Sequence, residues 1–353
     1  MSSRGWRFQE WGDERLAVEA LSAATDVDAS VRLAARAGAA AATLGTDSWR
    51  YLSTLATLGA VDLTTARVIE PHLDALAILT QAGNPDLSGI GARADTVWGV
   101  FAAGGPGHRL EARAAAGGAE GAGDVEYTLT GSKPWCSLGD RLTHALITAT
   151  PADGGADRLF AVHLDSERVE TAEGSEAVWA PIGLAEVRTT PLRFENARAV
   201  PIGGPGWYLD RPGFAWGGIG VAAVWFGGAA AVAERLLDAA RRREPDQIAL
   251  AAIGRTDRAL HTALLALRDA AEAIDAGRAT GSDGVLLAAR VRAVVADVVD
   301  EVLSTVGHAI GPAPLSQDAE HARRVGDLTL YVRQHHAERD LAALGRHVLG
   351  GAT

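Results

Sequence analysis

The sequence predicts an α+β protein with an N-terminal α-helical domain, a middle antiparallel β-sandwich or barrel domain, and a C-terminal four-helix bundle. Two observations lead to this order. Residues 13–81 and the segment after Gly218 are rich in Ala and Leu with helical spacing. Residues 92–201 instead carry short β-type runs separated by turn compositions. We therefore place the domains at 1–91, 92–205 and 206–353.

The first block contains four candidate helix starts. Asp and Thr side chains accept hydrogen bonds from the free amides of a first helical turn, and they precede apolar-periodic runs at Asp26, Asp28, Thr46 and Asp62. The run after Asp62 has one apolar face, formed by Leu63, Ala66, Ile69, Leu73, Leu76 and Ile78. This block is predicted to be entirely helical.

The middle block carries strand patterns at 97–101, 127–130, 145–148, 158–164 and 190–194. Several short strands at this spacing favour a sandwich or barrel over βαβ units. No glycine-rich fingerprint stands between a strand and a helix, so the pattern argues against a dinucleotide-binding α/β domain.

Four helices are predicted in the last block, at about 219–243, 256–276, 284–307 and 321–345. The third is apolar over most of its circumference, which is typical of a helix buried on several sides. Short breaks between the helices favour an antiparallel bundle.

Composition excludes several classes of function. The chain of 353 residues has a formal net charge of −11 and no Lys/Arg-rich run, which argues against nucleic-acid binding. It has no apolar start of signal-peptide type and no uninterrupted run of 18 apolar residues, so we expect no membrane span. Cys136 is the only cysteine, which excludes an intramolecular disulfide and fits the cytoplasm.

The segment 127–150 combines two strand patterns with the turn Gly-Ser-Lys-Pro-Trp-Cys-Ser. This turn places the indole of Trp135 near the hydroxyl of Ser137. An aromatic surface beside a hydroxyl suits a flat cofactor with a polar edge. The alternative is that Trp135 belongs to the core and Ser137 only shapes the turn.

This segment resembles the strand-and-turn signature of the acyl-CoA dehydrogenase superfamily, FAD enzymes with the same α–β–α order. The matching positions are Gly131, Lys133, Trp135, Cys136, Ser137, Gly139, Thr143, His144 and Leu146. The run 194–201, Phe-Glu-Asn-Ala-Arg-Ala-Val-Pro, is similar to the strand by which the chain leaves the β-domain in that family. The resemblance covers nearly the whole chain.

The resemblance implies FAD between the β-domain and the second helical domain, with Trp135 and Ser137 against the isoalloxazine. Phe101, Ala102 and Ala103 stand where the family has Thr-Glu-Pro, and could contact the flavin through their main chain. The alternative there is an ordinary Gly-Pro loop.

The FAD tail has weaker counterparts. Where the family has Arg-x-x-Phe-Gly, this chain keeps only the arginines of 241–243. The turn 307–312 resembles the family's Gly-Gly-x-Gly turn, which implies an adenosine contact of His308 and Gly311 across a subunit boundary, although a helix-ending turn needs no ligand. Family habit implies a homodimer or homotetramer.

The family's catalytic glutamate commonly follows an Arg-Asp pair by eight residues, and here the residue eight beyond Asp327 is His335. The other place where relatives hold the base corresponds to Gly217 and Gly218. On one helix, His335 and Glu338 would share a face, so both are candidate catalytic residues. The alternative is a solvated helix face; no metal-ligand motif is present.

Three hypotheses follow. The first is an FAD-dependent dehydrogenase that oxidises an acyl thioester and passes hydride to flavin N5, with a carboxylate base. The second is a flavin monooxygenase of the same fold that receives reduced flavin, FAD or FMN, from a partner and acts on a small molecule. The third is a degenerate homologue without flavin that serves as a binding or assembly partner.

Overall fold

The computed structural model describes residue 6 and residues 8–114, 127–164, 167–172 and 180–350. The N-terminal part is helical as predicted, with α1 (Phe8–Trp11), α2 (Glu14–Leu21), α3 (Val27–Ala37), α4 (Ser48–Val61) and α5 (Leu63–Gln81).

Two of the four predicted helix caps in this part are present. The side chain of Asp26 accepts from Ala29 N at 2.9 Å, and that of Asp62 accepts from Thr65 N at 2.8 Å. The predictions at Asp28 and Thr46 were wrong, because Asp28 lies inside α3 and the residue after Thr46, an aspartate, caps α4.

The middle part is a closed sheet. Its strands are β1 (Trp98–Phe101), β2 (Leu110–Ala114), β3 (Tyr127–Ser137), β4 (His144–Pro151), β5 (Arg158–His163), β6 (Val169–Thr171) and β7 (Thr189–Ile202). The order β4-β2-β3-β7-β5 closes into a barrel through β4 and β5, with β1 added on β4 and β6 on β7. Most pairings are antiparallel as predicted, but β1 and β2 pair with β4 in parallel.

The C-terminal part contains α6 (Trp207–Asp210), α7 (Pro212–Arg242), α8 (Gln247–Asp275), α9 (Gly281–Ile310), α10 (Ala313–Gln317), α11 (Ala319–Tyr331) and α12 (Glu338–Gly350). The helices α7, α8 and α9 are longer than predicted. The predicted fourth helix is in fact two, because a 3-10 turn at Val332–Gln334 and a left-handed Ala337 with φ of 44° interrupt it. The overall class, α+β with terminal helical parts around a barrel, is confirmed.

Helices α4 and α7 approach each other closely through glycine. A Cβ at Gly59 would lie 2.3 Å from Val224 O, and one at Gly227 would lie 2.0 Å from Ala56 O. Of the helices that the structure describes, α7 alone is long and apolar enough to cross a membrane, and 67% of its apolar window is buried in the protein. This burial is what a core helix requires.

Buried polar contacts join the three parts. Asp62, before α5, accepts from Arg323 of α11 at 2.6 Å. Asp327, one turn further along α11, accepts from Leu184 N, in the connection between β6 and β7, at 2.6 Å. On the same helix α5, His72 Nδ1 accepts from Trp98 N of β1 at 3.3 Å. Docking of the parts is therefore specified by directed hydrogen bonds as well as by apolar area.

We expect Asp62→Ala to be strongly destabilising. Its carboxylate is 2% exposed and serves both as helix cap and as partner of Arg323. Although burial opposes it, hydrogen bonds from Thr65 and Arg323 hold its pKa below the usual range. The loss should be about 3 kcal/mol, since the buried cap is removed and the partly buried Arg323 also loses its partner. Thermal unfolding followed by circular dichroism measures it.

The matched control is Asp26→Ala, which removes an exposed cap of the same kind and should cost about 1 kcal/mol. Equal losses in the two variants would mean that Arg323 adds nothing to the junction.

Candidate active site

Trp135 is exposed because its neighbours on β3 are anchored in the barrel while the strand itself is irregular at this point. Lys133 is buried and donates to Thr148 O at 2.9 Å and Thr148 Oγ1 at 2.7 Å on β4. Cys136 is fully buried, and the pairing of β3 with β7 shifts register between Lys133 and Cys136. Trp135 adopts a φ of 59° at this irregularity and its side chain is 60% exposed. A bulge that turns an apolar ring toward solvent indicates a contact surface.

Ser137 lies two residues further along β3 and is half-buried. Its Oγ pairs with Thr189 Oγ1 at 2.9 Å and accepts from Arg67 Nη2 of α5 at 3.3 Å. Phe101, at the end of β1, is buried and borders the same narrow crevice as Arg67 and Ser137. The phenyl ring therefore belongs to the barrel core.

The segment after β1 runs beside the indole. Ala102 is half-buried and its carbonyl accepts from Thr148 Oγ1 at 3.1 Å, while Ala103 is exposed. A Cβ at Gly105 would lie 3.4 Å from Trp135 Nε1. The structure thus brings Trp135 together with the segment that the sequence pairs with it, and glycine there leaves the backbone open to close approach.

A cavity of about 540 Å³ lies between α5, α7, α9 and α12. Its apolar wall includes Phe214, Ala215, Val221, Val285, Ala288 and Ala289. Its polar wall includes Glu70, Asp74, Arg211, Arg292, His335, His336, Asp340 and His347. Apolar walls with a few convergent polar groups are typical of small-molecule sites.

His335 lies at this cavity and is 7% exposed. Burial lowers the pKa of its imidazole despite the nearby Asp340 carboxylate, so the ring is neutral at pH 7. Its Nε2 is 3.8 Å from Asp340 Oδ2. A neutral imidazole can both donate and accept a proton.

Glu338 does not share this position. The sequence prediction of one helical face for His335 and Glu338 was wrong, because His335 is extended, with φ of −87° and ψ of 119°, and α12 begins only at Glu338. Glu338 is exposed and is absent from the cavity wall, where Asp340 stands instead.

The two glycines at the other family position of the base, Gly217 and Gly218, also line the cavity. They offer no side chain, and besides Asp340 the cavity carboxylates come from Glu70 and Asp74 of α5. Sequence reasoning missed both residues. A usable signal was present, because acidic residues at positions i and i+4 of an apolar helix, on either side of the internal Pro71, are costly unless they face a polar site.

Glu70 is 9% exposed. Its Oε2 accepts from Tyr331 Oη at 3.2 Å and lies 3.4 Å from Arg67 Nη1. Burial raises the pKa of Glu70 to about 7 in spite of Arg67, and the neighbouring Asp74 adds to the rise. Glu70 therefore exchanges protons near neutrality, as a catalytic acid or base must.

The two arginines of the cavity are largely committed to the protein. Arg292 donates to Gly218 O and Gln334 O, both at 3.0 Å. Arg211 donates to Gln81 Oε1 at 2.8 Å and lies over the Tyr208 ring at 5.1 Å from its centroid. In the part of the chain that the structure describes, Arg211 Nε has no acceptor.

His308 and Gly311 lie elsewhere. Both are at the C-terminal end of α9, about 30 Å from its cavity-lining residues at 1.5 Å per residue. Exposed His308 borders a groove of about 340 Å³ with Arg243 and Pro245, and Gly311 ends the helix with φ of 71°. The two segments matched to the FAD tail thus meet each other, but not the cavity of their own chain.

We expect Glu70→Gln to weaken the pH dependence of stability. Protonated Glu70 is favoured in the folded protein, so its contribution is full below the ordinary pKa of 4.5 and is lost as the pH rises through about 7. That loss is about 3 kcal/mol between about pH 5 and pH 8. Melting curves across this range should converge in the variant. Unchanged pH dependence would contradict a raised pKa.

Comparison with known proteins gives two kinds of match. Residues 204–325 match the family described as acyl-CoA dehydrogenase, C-terminal domain. No curated protein matches the sequence. Solved structures match over nearly the full length at low identity, which establishes a shared fold.

Three of these structures illustrate the kinds of protein that share the fold. KijD3 in complex with FMN and dTDP-3-amino-2,3,6-trideoxy-4-keto-3-methyl-D-glucose has a TM-score of 0.75 at 19% identity, covering 96% of this chain and 91% of that chain. FMN-bound TdsC from Paenibacillus sp. A11-2 has a TM-score of 0.73 at 16% identity, covering 96% and 98%. Butyryl-CoA dehydrogenase from Megasphaera elsdenii has a TM-score of 0.74 at 16% identity, covering 96% and 95%.

The resemblance seen in the sequence is thereby confirmed. Residues 204–325 match the acyl-CoA dehydrogenase C-terminal domain, and the chain as a whole shares its fold with butyryl-CoA dehydrogenase, KijD3 and TdsC.

Proposed function

We propose that this protein is a flavin-dependent monooxygenase that uses reduced flavin delivered by a partner. The observation that carries the proposal is His335, a buried neutral imidazole at the cavity wall where a dehydrogenase of this fold holds glutamate. The FMN-bound structures of KijD3 and TdsC, which share the fold, support it.

The residues present fit the ring end of a flavin. The exposed indole of Trp135 lies beside exposed Ala103 and Gly104, and a Cβ at Gly104 would meet nothing within 4 Å, so this region offers a surface for a flat ring. The Ser137 hydroxyl and the Arg67 guanidinium supply polar partners beside it.

The residues fit an FAD tail less well. Exposed Arg241 donates to Glu234 at 3.0 Å and to Asp238 at 3.1 Å, so its charge is already partnered. We therefore favour FMN over FAD as the cofactor.

Bound reduced flavin would supply the electrons for oxygen activation. The chain itself supplies the enclosure and the protons. The apolar wall around Phe214 and Val221 limits water at the reacting group. Because its imidazole is already neutral, His335 can accept a proton from that group without first giving one up.

The dehydrogenase is the second candidate, with FAD as cofactor and an acyl thioester as substrate. Glu70 is the observation that favours it, because a cavity carboxylate with a pKa of about 7 could remove a proton beside a thioester. A degenerate, flavin-free binding partner remains the third hypothesis, motivated by the missing Thr-Glu-Pro and Phe-Gly elements.

We also propose a cytoplasmic homodimer or homotetramer. The exposed side chains of Ile248 and Leu250, at the start of α8, support an interface at the end of the bundle that carries His308.

We expect purified protein to bind FMN and Trp135→Ala to bind it at least about tenfold more weakly, because an aromatic surface is lost. Flavin fluorescence quenching gives both affinities. The matched control is Leu265→Ala, which also truncates an exposed apolar side chain but lies on α8, and it should leave the affinity for FMN unchanged. No flavin binding by the wild type would favour the degenerate homologue.

We expect oxygen consumption only when reduced FMN is supplied, and a loss of about a hundredfold in substrate oxygenation for His335→Ala, within the usual range for a proton-transfer group. An oxygen electrode with product analysis measures both. Anaerobic bleaching of bound flavin by an acyl thioester would instead establish the dehydrogenase. In that case Glu70→Gln should abolish bleaching and His335→Ala should not.

A further inference from the structure

The carboxylates of Glu70 and Asp74 keep oxygen atoms that receive no hydrogen bond from the described residues. Within the described residues, Asp74 Oδ1 is buried without a hydrogen-bond partner. Glu70 uses Oε2 for both Tyr331 and Arg67, and Oε1 receives no hydrogen bond from that part of the chain. A buried acceptor without a hydrogen bond lowers the stability of the folded protein. A ligand that donates a hydrogen bond to it removes this penalty, which favours binding.

These two carboxylates lie on one face of one helix. Glu70 and Asp74 are four residues apart on α5, which places their Cβ atoms about 5–6 Å apart on the same side. Both line the same cavity. A ligand group with several donor hydrogens, such as an ammonium, can therefore donate a hydrogen bond to each carboxylate. A group with one donor hydrogen, such as a hydroxyl, can donate to only one of them.

The arginines around the pair are largely committed to other groups, although Arg211 Nε has no acceptor among the described residues. Arg67 lies 3.4 Å from Glu70 but also donates to Ser137. Arg292 holds two backbone carbonyls. Arg211 Nη2 is 3.9 Å from Asp74 Oδ1, too far for a hydrogen bond. Tyr331 from α11 donates to Glu70, and the neutral His335 lines the same cavity. Asp340, His336 and His347 belong to the same polar wall.

We propose that Glu70 and Asp74 form the binding site for a primary amino group of the substrate, and that Glu70 takes a proton from it. In that step an N–H bond of the ammonium breaks, an O–H bond forms on Glu70, and the electron pair stays on nitrogen. The free amine is then the nucleophilic form that an oxygenation at nitrogen requires. The rest of the substrate packs on the apolar wall around Phe214, Val221 and Ala288.

This inference rests on the proposed monooxygenase function, but its first test needs neither flavin nor oxygen. Three probes of one shape, cyclohexylamine, cyclohexanol and cyclohexanecarboxylate, distinguish an amine from a hydroxyl and from an anion. Isothermal titration of the wild-type protein at about pH 7 should show binding of cyclohexylamine at least about tenfold tighter than of the other two. Tighter binding of the carboxylate would overturn the proposal.

Proton release provides the readout that a merely structural role would not give. Near pH 7 Glu70 carries a proton in part of the molecules. When an ammonium ion binds, Glu70 and the amine nitrogen together keep one transferable proton, and any further proton is released to the solvent. About half a proton should therefore be released per amine bound, measured as the difference in heat between phosphate and Tris buffers. Binding without proton release would contradict the role of Glu70.

The variants assign the effect to residues. Glu70→Gln should abolish proton release and weaken amine binding about tenfold, and Asp74→Asn should weaken binding while release persists. Glu272→Gln, an exposed glutamate on α8, is the matched control and should change neither. If Glu70→Gln does not fold, Glu70→Asp keeps the charge and should still release protons. Loss of amine binding in the control would contradict the site.

Discussion

Helix α5 can be buried only if partners from the rest of the protein compensate its polar side chains. It carries or follows five ionisable groups that are largely removed from water, and isolated burial of such groups is prohibitive. Their partners come from every other part of the chain, and the pairs are Asp62 with Arg323, Arg67 with Ser137, Glu70 with Tyr331, His72 with Trp98, and Asp74 with Arg211. Formation of α5 in its native surroundings and docking of the parts are thus one event.

The same requirement explains why the cavity keeps carboxylates that are not fully paired. Compensation is complete at Asp62, where the pKa is lowered, and incomplete at Glu70 and Asp74, where burial raises it. A fully compensated helix would be more stable but would offer a ligand nothing. Residual unpaired groups at a site are what a protein retains when function opposes stability.

Local patterns were sufficient to predict the order of parts, the positions of β1, β3, β4, β5 and β7, and the display of Trp135, because alternation, turn residues and a signature are properties of adjacent residues. The strands β2 and β6 were missed. The break before α12 was missed, since a left-handed Ala337 has no signal in composition. Placing Glu338 with His335 failed for that reason. Glu70 and Asp74 could not be assigned to the site without knowing what α5 packs against, because i and i+4 spacing defines a face but not its neighbour.

The chemistry proposed for the cavity depends on two groups whose pKa values burial displaces in opposite directions. Burial penalises the charged form of each, so His335 loses its proton more easily and Glu70 holds its proton more tightly. His335 and Glu70 line the same cavity, so they can serve as a base and an acid there while both are uncharged. A dehydrogenase needs only the base, whereas oxygen transfer to an amine needs a base for nitrogen and a second group to handle protons at oxygen. The presence of both at one cavity is the reason to favour the monooxygenase.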